Sequence, residues 1–157
     1  MLEDYPVVAE IDVRFRDMDA FAHVDNVEYF QYFELARVAY LKRIGMPIPG
    51  PAWHDFGWVI GSTCCRYRAP LTFPDTVRVG ARVAAMSEDR VLMEYRVVST
   101  KLEKIAAEGD SLLVAYDFDA GRAMPVREYV RDAILRLEGR ELPKVPRGTG
   151  RIASPAS

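Results

Sequence analysis

Apolar residues recur in this chain with two periods, and the two are kept in separate segments. Val77, Val79, Ala81 and Val83 alternate with Arg78, Gly80 and Arg82, and after Ser87-Glu88-Asp89 the alternation resumes at Val91, Met93, Tyr95 and Val97. A two-residue period puts one set of side chains on one face of a strand, so this region predicts a β-hairpin. The same pattern predicts a first strand over 7–15, with Ile11, Val13 and Phe15 on one face, and a run over 57–67 predicts a second. A last strand carries Leu112, Val114, Tyr116 and Phe118, begins near Ile105 and ends at Asp119-Ala120-Gly121. Only between the first two strands does the period change for long. There Val27, Phe30, Phe33, Ala36, Tyr40, Leu41 and Ile44 recur at helical spacing, after Asn26 as N-cap and before Gly45 and Pro47 as the stop. A short terminal helix is predicted over 125–137. One long helix among several alternating strands specifies an α+β chain: an antiparallel sheet wrapped around a central helix.

The length of 157 residues suits one such domain, expected over 1–142. Residues 143–157 are rich in Pro, Gly, Ser and Arg without apolar periodicity, and are expected to form a flexible tail. A net charge of −2 argues against a nucleic-acid partner, which would need a concentrated basic surface. No apolar run reaches the roughly 18 residues of a membrane span. The N-terminus, Met1-Leu2-Glu3-Asp4, lacks the basic-then-apolar order of a signal peptide, so a cytoplasmic protein is expected. Cys64 and Cys65 are adjacent, and neighbours on a strand face opposite ways, which disfavours a disulfide or shared metal between them.

Chemistry-bearing residues collect between the first strand and the helix: Arg16-Asp17-Met18-Asp19-Ala20-Phe21-Ala22-His23-Val24-Asp25-Asn26, followed by Tyr29. This run resembles the signature D-x-D-x-x-G-H-V-N-N-x-x-Y of hotdog-fold acyl-CoA thioesterases of the 4-hydroxybenzoyl-CoA thioesterase type, and the element order from about 7 to 130 is similar to that fold. The resemblance implies hydrolysis of an acyl-CoA to a carboxylic acid and coenzyme A. It implies Asp19 as the catalytic carboxylate and an amide near Asn26, at the helix start, as donor to the thioester carbonyl. His23 belongs with the catalytic set, and Val24, Asp25 and Tyr29 with substrate binding.

The chemistry is reasonable without the resemblance, because thioester hydrolysis needs a base or nucleophile beside donors to the carbonyl oxygen, and free helix-terminal amides are such donors. Whether Asp19 activates water or attacks directly stays open. No metal or bound cofactor is implied, coenzyme A being part of the substrate; the expected partners are the acyl-CoA and other copies of the chain, as a homodimer or homotetramer. Two positions depart from the signature. Ala22 replaces Gly, so that position is either strained or follows a different loop path, and Asp25 replaces Asn, adding negative charge. These departures keep a non-catalytic acyl-CoA or acyl-carrier binding protein as the alternative, while a hydratase ranks last.

Other residues have structural readings. Asp17 shapes the loop, Glu34 and Arg37 are spaced to pair along the helix, and Trp53, His54, Phe56 and Trp58 close the core. Arg66, Arg68, Arg78, Arg82 and Arg96 make a solvated or subunit-facing surface, from which a few arginines are available to coenzyme A phosphates.

Overall fold

The computed structural model describes residues 1–46 and 55–149. Its elements are β1 (Val7–Asp12), α1 (Glu28–Arg43), β2 (Gly57–Tyr67), β3 (Thr76–Met86), β4 (Arg90–Ser99), β5 (Lys104–Asp117), β6 (Arg122–Ala123) and α2 (Glu128–Glu138). All pairings are antiparallel, in the order β1-β3-β4-β5-β2 with β6 on the end of β5. The helix α1 packs mainly across β1, β3 and β4. This is the antiparallel sheet around one long helix expected from the order of periods, and it is the hotdog arrangement that the resemblance implied.

Alternation decides which side of the sheet meets the helix. Val77, Val79, Ala81 and Val83 of β3 and Val91, Met93, Tyr95 and Val97 of β4 are all buried, while Arg78 stands outside. From α1 the core receives Tyr29, Tyr32, Phe33, Ala36 and Tyr40. Phe33 stacks on Tyr95 with centroids 4.8 Å apart and planes at 13°. That stack sits so close to β5 that a Cβ on Gly109 would lie 2.5 Å from the Phe33 ring and 2.3 Å from the Cys64 carbonyl oxygen. Glycine is therefore required where helix and sheet approach most tightly.

The helix α2 is tied on by Glu138, whose Oε1 accepts from the Tyr40 hydroxyl at 2.6 Å and from the Val83 amide at 2.7 Å. Burial and the Glu138 carboxylate both raise the Tyr40 phenol above its ordinary range. Beyond α2 the chain is held to the β3–β4 turn, the Pro143 carbonyl accepting from Met86 N at 2.9 Å and Val145 N donating to Ser87 Oγ at 3.0 Å.

Several expectations need correction. The first strand stops at Asp12. Val13 is buried, but Phe15 is 72% exposed in a 3-10 turn and packs edge-on against Phe73 at 5.8 Å. The chain bends there because the Asp17 carboxylate captures both the Arg14 amide and its guanidinium. Val27 is 58% exposed rather than on the core face, since α1 begins one residue beyond it and Tyr29 and Tyr32 take the inward positions. Glu34 and Arg37 form no ion pair; Arg37 Nη1 donates to the Tyr95 hydroxyl at 3.3 Å, drawn inward by the stacked aromatic pair. Trp53 and His54 lie outside the described residues, whereas Phe56 is buried, edge-on to Trp58 at 5.5 Å. The two cysteines do face opposite ways: Cys64 is exposed, and burial pushes the half-buried Cys65 thiol up to about 11.

Candidate active site

The loop after β1 is held by a buried acid. Asp17 is 1% exposed and accepts from Arg14 N and from Arg14 Nε, both at 2.8 Å. Arg14 Nη2 also reaches Glu28 Oε2 at 3.4 Å, so one guanidinium ties the end of β1 to the first residue of α1. The Asp17 carbonyl in turn accepts from Asp25 N at 2.8 Å. Asp17 thus shapes the loop, as its position before the turn suggested.

Within that frame residues 19–23 form a tight reversal. Met18 bridges Val24, Asp19 N donates to the His23 carbonyl at 2.8 Å, Ala22 N donates to the Asp19 carbonyl at 3.1 Å, and Phe21 N donates to Asp19 Oδ1 at 2.8 Å. Ala22 sits at φ +60°, in the left-handed region, which costs an L-residue about 1–2 kcal/mol. Of the two possibilities for this position, the chain has taken the strained one. Val24 is buried, and its amide donates to the Leu71 carbonyl at 2.9 Å, fastening the loop to the segment after β2.

At the start of α1 the N-cap position is Val27, not Asn26. The capping bonds come from Asp25, whose Oδ1 accepts from Val27 N at 3.0 Å and whose carbonyl accepts from Glu28 N at 3.0 Å. An aspartate can satisfy both because its short carboxylate folds back onto the backbone two residues on. Asp25 N is already engaged by Asp17. Across residues 25–28 this leaves the Asn26 amide without an acceptor.

Asp19, His23, Val24, Asn26 and Tyr29 line one cavity of about 390 Å³, closed on the other side by Tyr67, Arg68, Ala69 and Pro70. Five of the six residues expected at the site are brought together there; Asp25 is outside the lining and acts on the helix start. Tyr29 is buried with its ring edge-on to Tyr67, centroids 5.0 Å apart, and burial pushes its phenol up to about 12. The segment 67–70 was marked as a substrate contact in the sequence only by Arg68, one of the arginines available to coenzyme A phosphates. It reaches the site only through the pairing of β2 with β5 at the far edge of the sheet.

Larger and smaller cavities open elsewhere on the described residues, about 600 Å³ beside Val145 and Arg147 and about 260 Å³ on the outer sheet face. Ion pairs line both, Asp89 with Arg90 in the first and Glu94 with Arg82 and Glu108 with Arg96 in the second. Among the described residues no group of three His, Cys, Asp or Glu is arranged to hold a metal ion, and no helix is long and apolar enough to cross a membrane.

Comparison with known proteins agrees with this geometry. The profile of the Thioesterase-like superfamily matches residues 13–134, which contain the loop, α1 and the strands β2 to β6. A crystal structure of a thioesterase from Thermus thermophilus, complexed with coenzyme A and Zn, superposes with a TM-score of 0.77 at 35% identity, covering 89% of this chain and 99% of that one. A Pseudomonas aeruginosa protein superposes with a TM-score of 0.77 at 29% identity over 87% of this chain and 94% of its own. The Bacillus subtilis (strain 168) protein YsmA is 23% identical over 126 residues, 80% of this chain and 83% of its own. With a family match over most of the domain and the fold shared end to end, the chain belongs to the thioesterase-like superfamily, and its chemistry is the hydrolysis of an acyl thioester.

Proposed function

We propose that the cavity beside α1 hydrolyses an acyl-CoA, with Asp19 as base or nucleophile and the Asn26 amide as donor to the thioester oxygen. The observation that carries this reading is the Asn26 N–H, left without an acceptor between engaged neighbours in a residue that lines the same cavity as Asp19. A donor held in place before charge develops costs no reorganisation when the carbonyl becomes an oxyanion, and a helix start adds partial positive charge.

As base, Asp19 takes a proton from water, the hydroxide adds to the carbonyl carbon, and the C–S bond breaks to release the coenzyme A thiol. As nucleophile, its carboxylate adds to that carbon and expels the thiolate, giving a mixed anhydride that water opens to the acid and free Asp19. One carboxylate oxygen already accepts from Phe21 N, and a carboxylate has lone pairs enough for both tasks. His23, whose carbonyl holds the Asp19 amide, orients the reversal, and Val24 and Tyr29 form the apolar wall for the acyl group. Asp25 serves the substrate indirectly, by holding the helix start.

No resident metal or cofactor is required by this scheme. We further read the chain as a cytoplasmic homodimer or homotetramer, with residues 1–142 as its domain; of the described residues that follow, Pro143 and Val145 are tied to the β3–β4 turn. The support for self-association is β2, an edge strand whose Gly61, Thr63, Cys64, Arg66 and Tyr67 are exposed on both faces. Long open edges of this kind are normally covered.

Thiol release from acyl-CoAs of graded chain length and from aromatic acyl-CoAs tests the reading. Turnover of at least one class is expected. Tight binding with no release from any would instead support the non-catalytic acyl-binding alternative.

A further inference from the structure

Tyr67 was not singled out by the sequence, and its hydroxyl does something unusual for a residue on a sheet edge. It donates to the Asn26 carbonyl at 3.0 Å, across 41 positions of sequence. In an uninterrupted helix that carbonyl would accept from the amide four residues on, Phe30 N. Here Phe30 N donates to the Val27 carbonyl at 3.1 Å, so the Asn26 carbonyl is left over from the helix pattern and Tyr67 takes it.

We propose that Tyr67 is a positioning residue for the oxyanion donor: its hydroxyl locks the Asn26–Val27 peptide and thereby the orientation of the Asn26 N–H. This inference rests on the reading of that amide as the thioester-binding group. The peptide between Asn26 and Val27 is held at both ends, its carbonyl by Tyr67 and its N–H by Asp25 Oδ1 at 3.0 Å. The preceding peptide, which carries the Asn26 N–H, is held through its own carbonyl by Glu28 N. Of these three anchors only Tyr67 comes from outside the loop and helix. It couples the donor to the far edge of the sheet, and its ring stands edge-on against Tyr29 at 86° so that the hydroxyl cannot swing freely.

Tyr67→Phe removes the hydroxyl and keeps the ring on Tyr29. The expected result is a fall in kcat of about tenfold, the scale of one neutral hydrogen bond, with KM within about twofold. In the free protein, amide hydrogen exchange at Val27 and Glu28, whose amides are bonded to Asp25, should accelerate while exchange in the core strands is unchanged. A raised KM at constant kcat would overturn the proposal by making Tyr67 a substrate contact, and so would unchanged kcat. If the unaltered protein released no thiol from any acyl-CoA, the thioesterase reading would fail, and the exchange measurement would still decide the positioning role: unchanged exchange at Val27 and Glu28 overturns it.

Discussion

The backbone amide of Asp19 donates to the carbonyl of His23 at 2.8 Å, closing the reversal that sets the acidic side chain beside the start of α1. The bond makes the location of Asp19 a property of backbone geometry rather than of side-chain packing. Substitutions of its carboxyl group should therefore separate chemistry from folding.

Asp19→Asn retains an oxygen for the Phe21 amide while removing the negative charge. Turnover should fall about a hundredfold or more, the scale of losing a positioned base, with binding of a non-hydrolysable thioether analogue of the substrate unchanged. Thiol release and calorimetric titration on the same preparation measure the two. Wild-type kcat in Asp19→Asn together with a collapse in Asp17→Asn or Asp25→Asn would move the catalytic carboxylate within the loop.

Ala22→Gly relieves a left-handed residue. Glycine adopts that conformation at little cost but also adds freedom to the unfolded chain, so a net stabilisation of about 0.5–1 kcal/mol is expected. Chemical denaturation provides the check; a loss of stability would show that the Ala22 methyl makes a contact worth more than the strain.

Gly109→Ala should be among the most damaging single changes in the sheet. Its methyl would overlap the Phe33 ring and the Cys64 carbonyl, and overpacking of this kind costs roughly 1–3 kcal/mol. Because backbone is one of the two obstacles, rotamer changes alone cannot relieve it. A melting temperature equal to that of the unaltered protein would contradict the close approach of α1 to β5.

Alkaline pH should destabilise the protein through its buried phenols. Tyr29 is pushed up to about 12, and Tyr32, Tyr40 and Tyr95 are also raised, in each case first by burial. An unfolded chain ionises its tyrosines near pH ~10. Each raised phenol therefore contributes stability that is fully present below that value and is lost as pH climbs toward its folded pKa, since only the unfolded state gives up protons in the interval. Denaturation midpoints measured from about pH 8 to 12 should fall beyond about 10, and absorbance titration of the folded protein should lag behind that of free tyrosine.

The exposed faces of β2 predict an oligomer at micromolar concentration. Light scattering should give a mass at least twice the 17.8 kDa of one chain. A stable monomer would show that the edge is protected by its own charges, and a site shared between subunits would then be excluded.

Periodicity alone determined the class of fold, because burial on one face of a strand or helix imposes a repeat of two or of about 3.6 on the apolar residues, and β2 was legible to its end residues. That Asp19, His23, Val24, Asn26 and Tyr29 gather at one cavity was legible for a related reason: they are close in sequence, and one loop running into one helix must bring them near one another. Tertiary structure decided everything that depended on competition for hydrogen bonds or on distant pairing. Asp25 rather than Asn26 capped α1 because its carboxylate could reach Val27 N once Asp17 had fixed Asp25 N. Phe15 left its strand because Asp17 drew Arg14 into a turn. Tyr67 reached Asn26 only because β2 returns along β5 at the sheet edge, a register set by contacts far apart in sequence that no local pattern can encode.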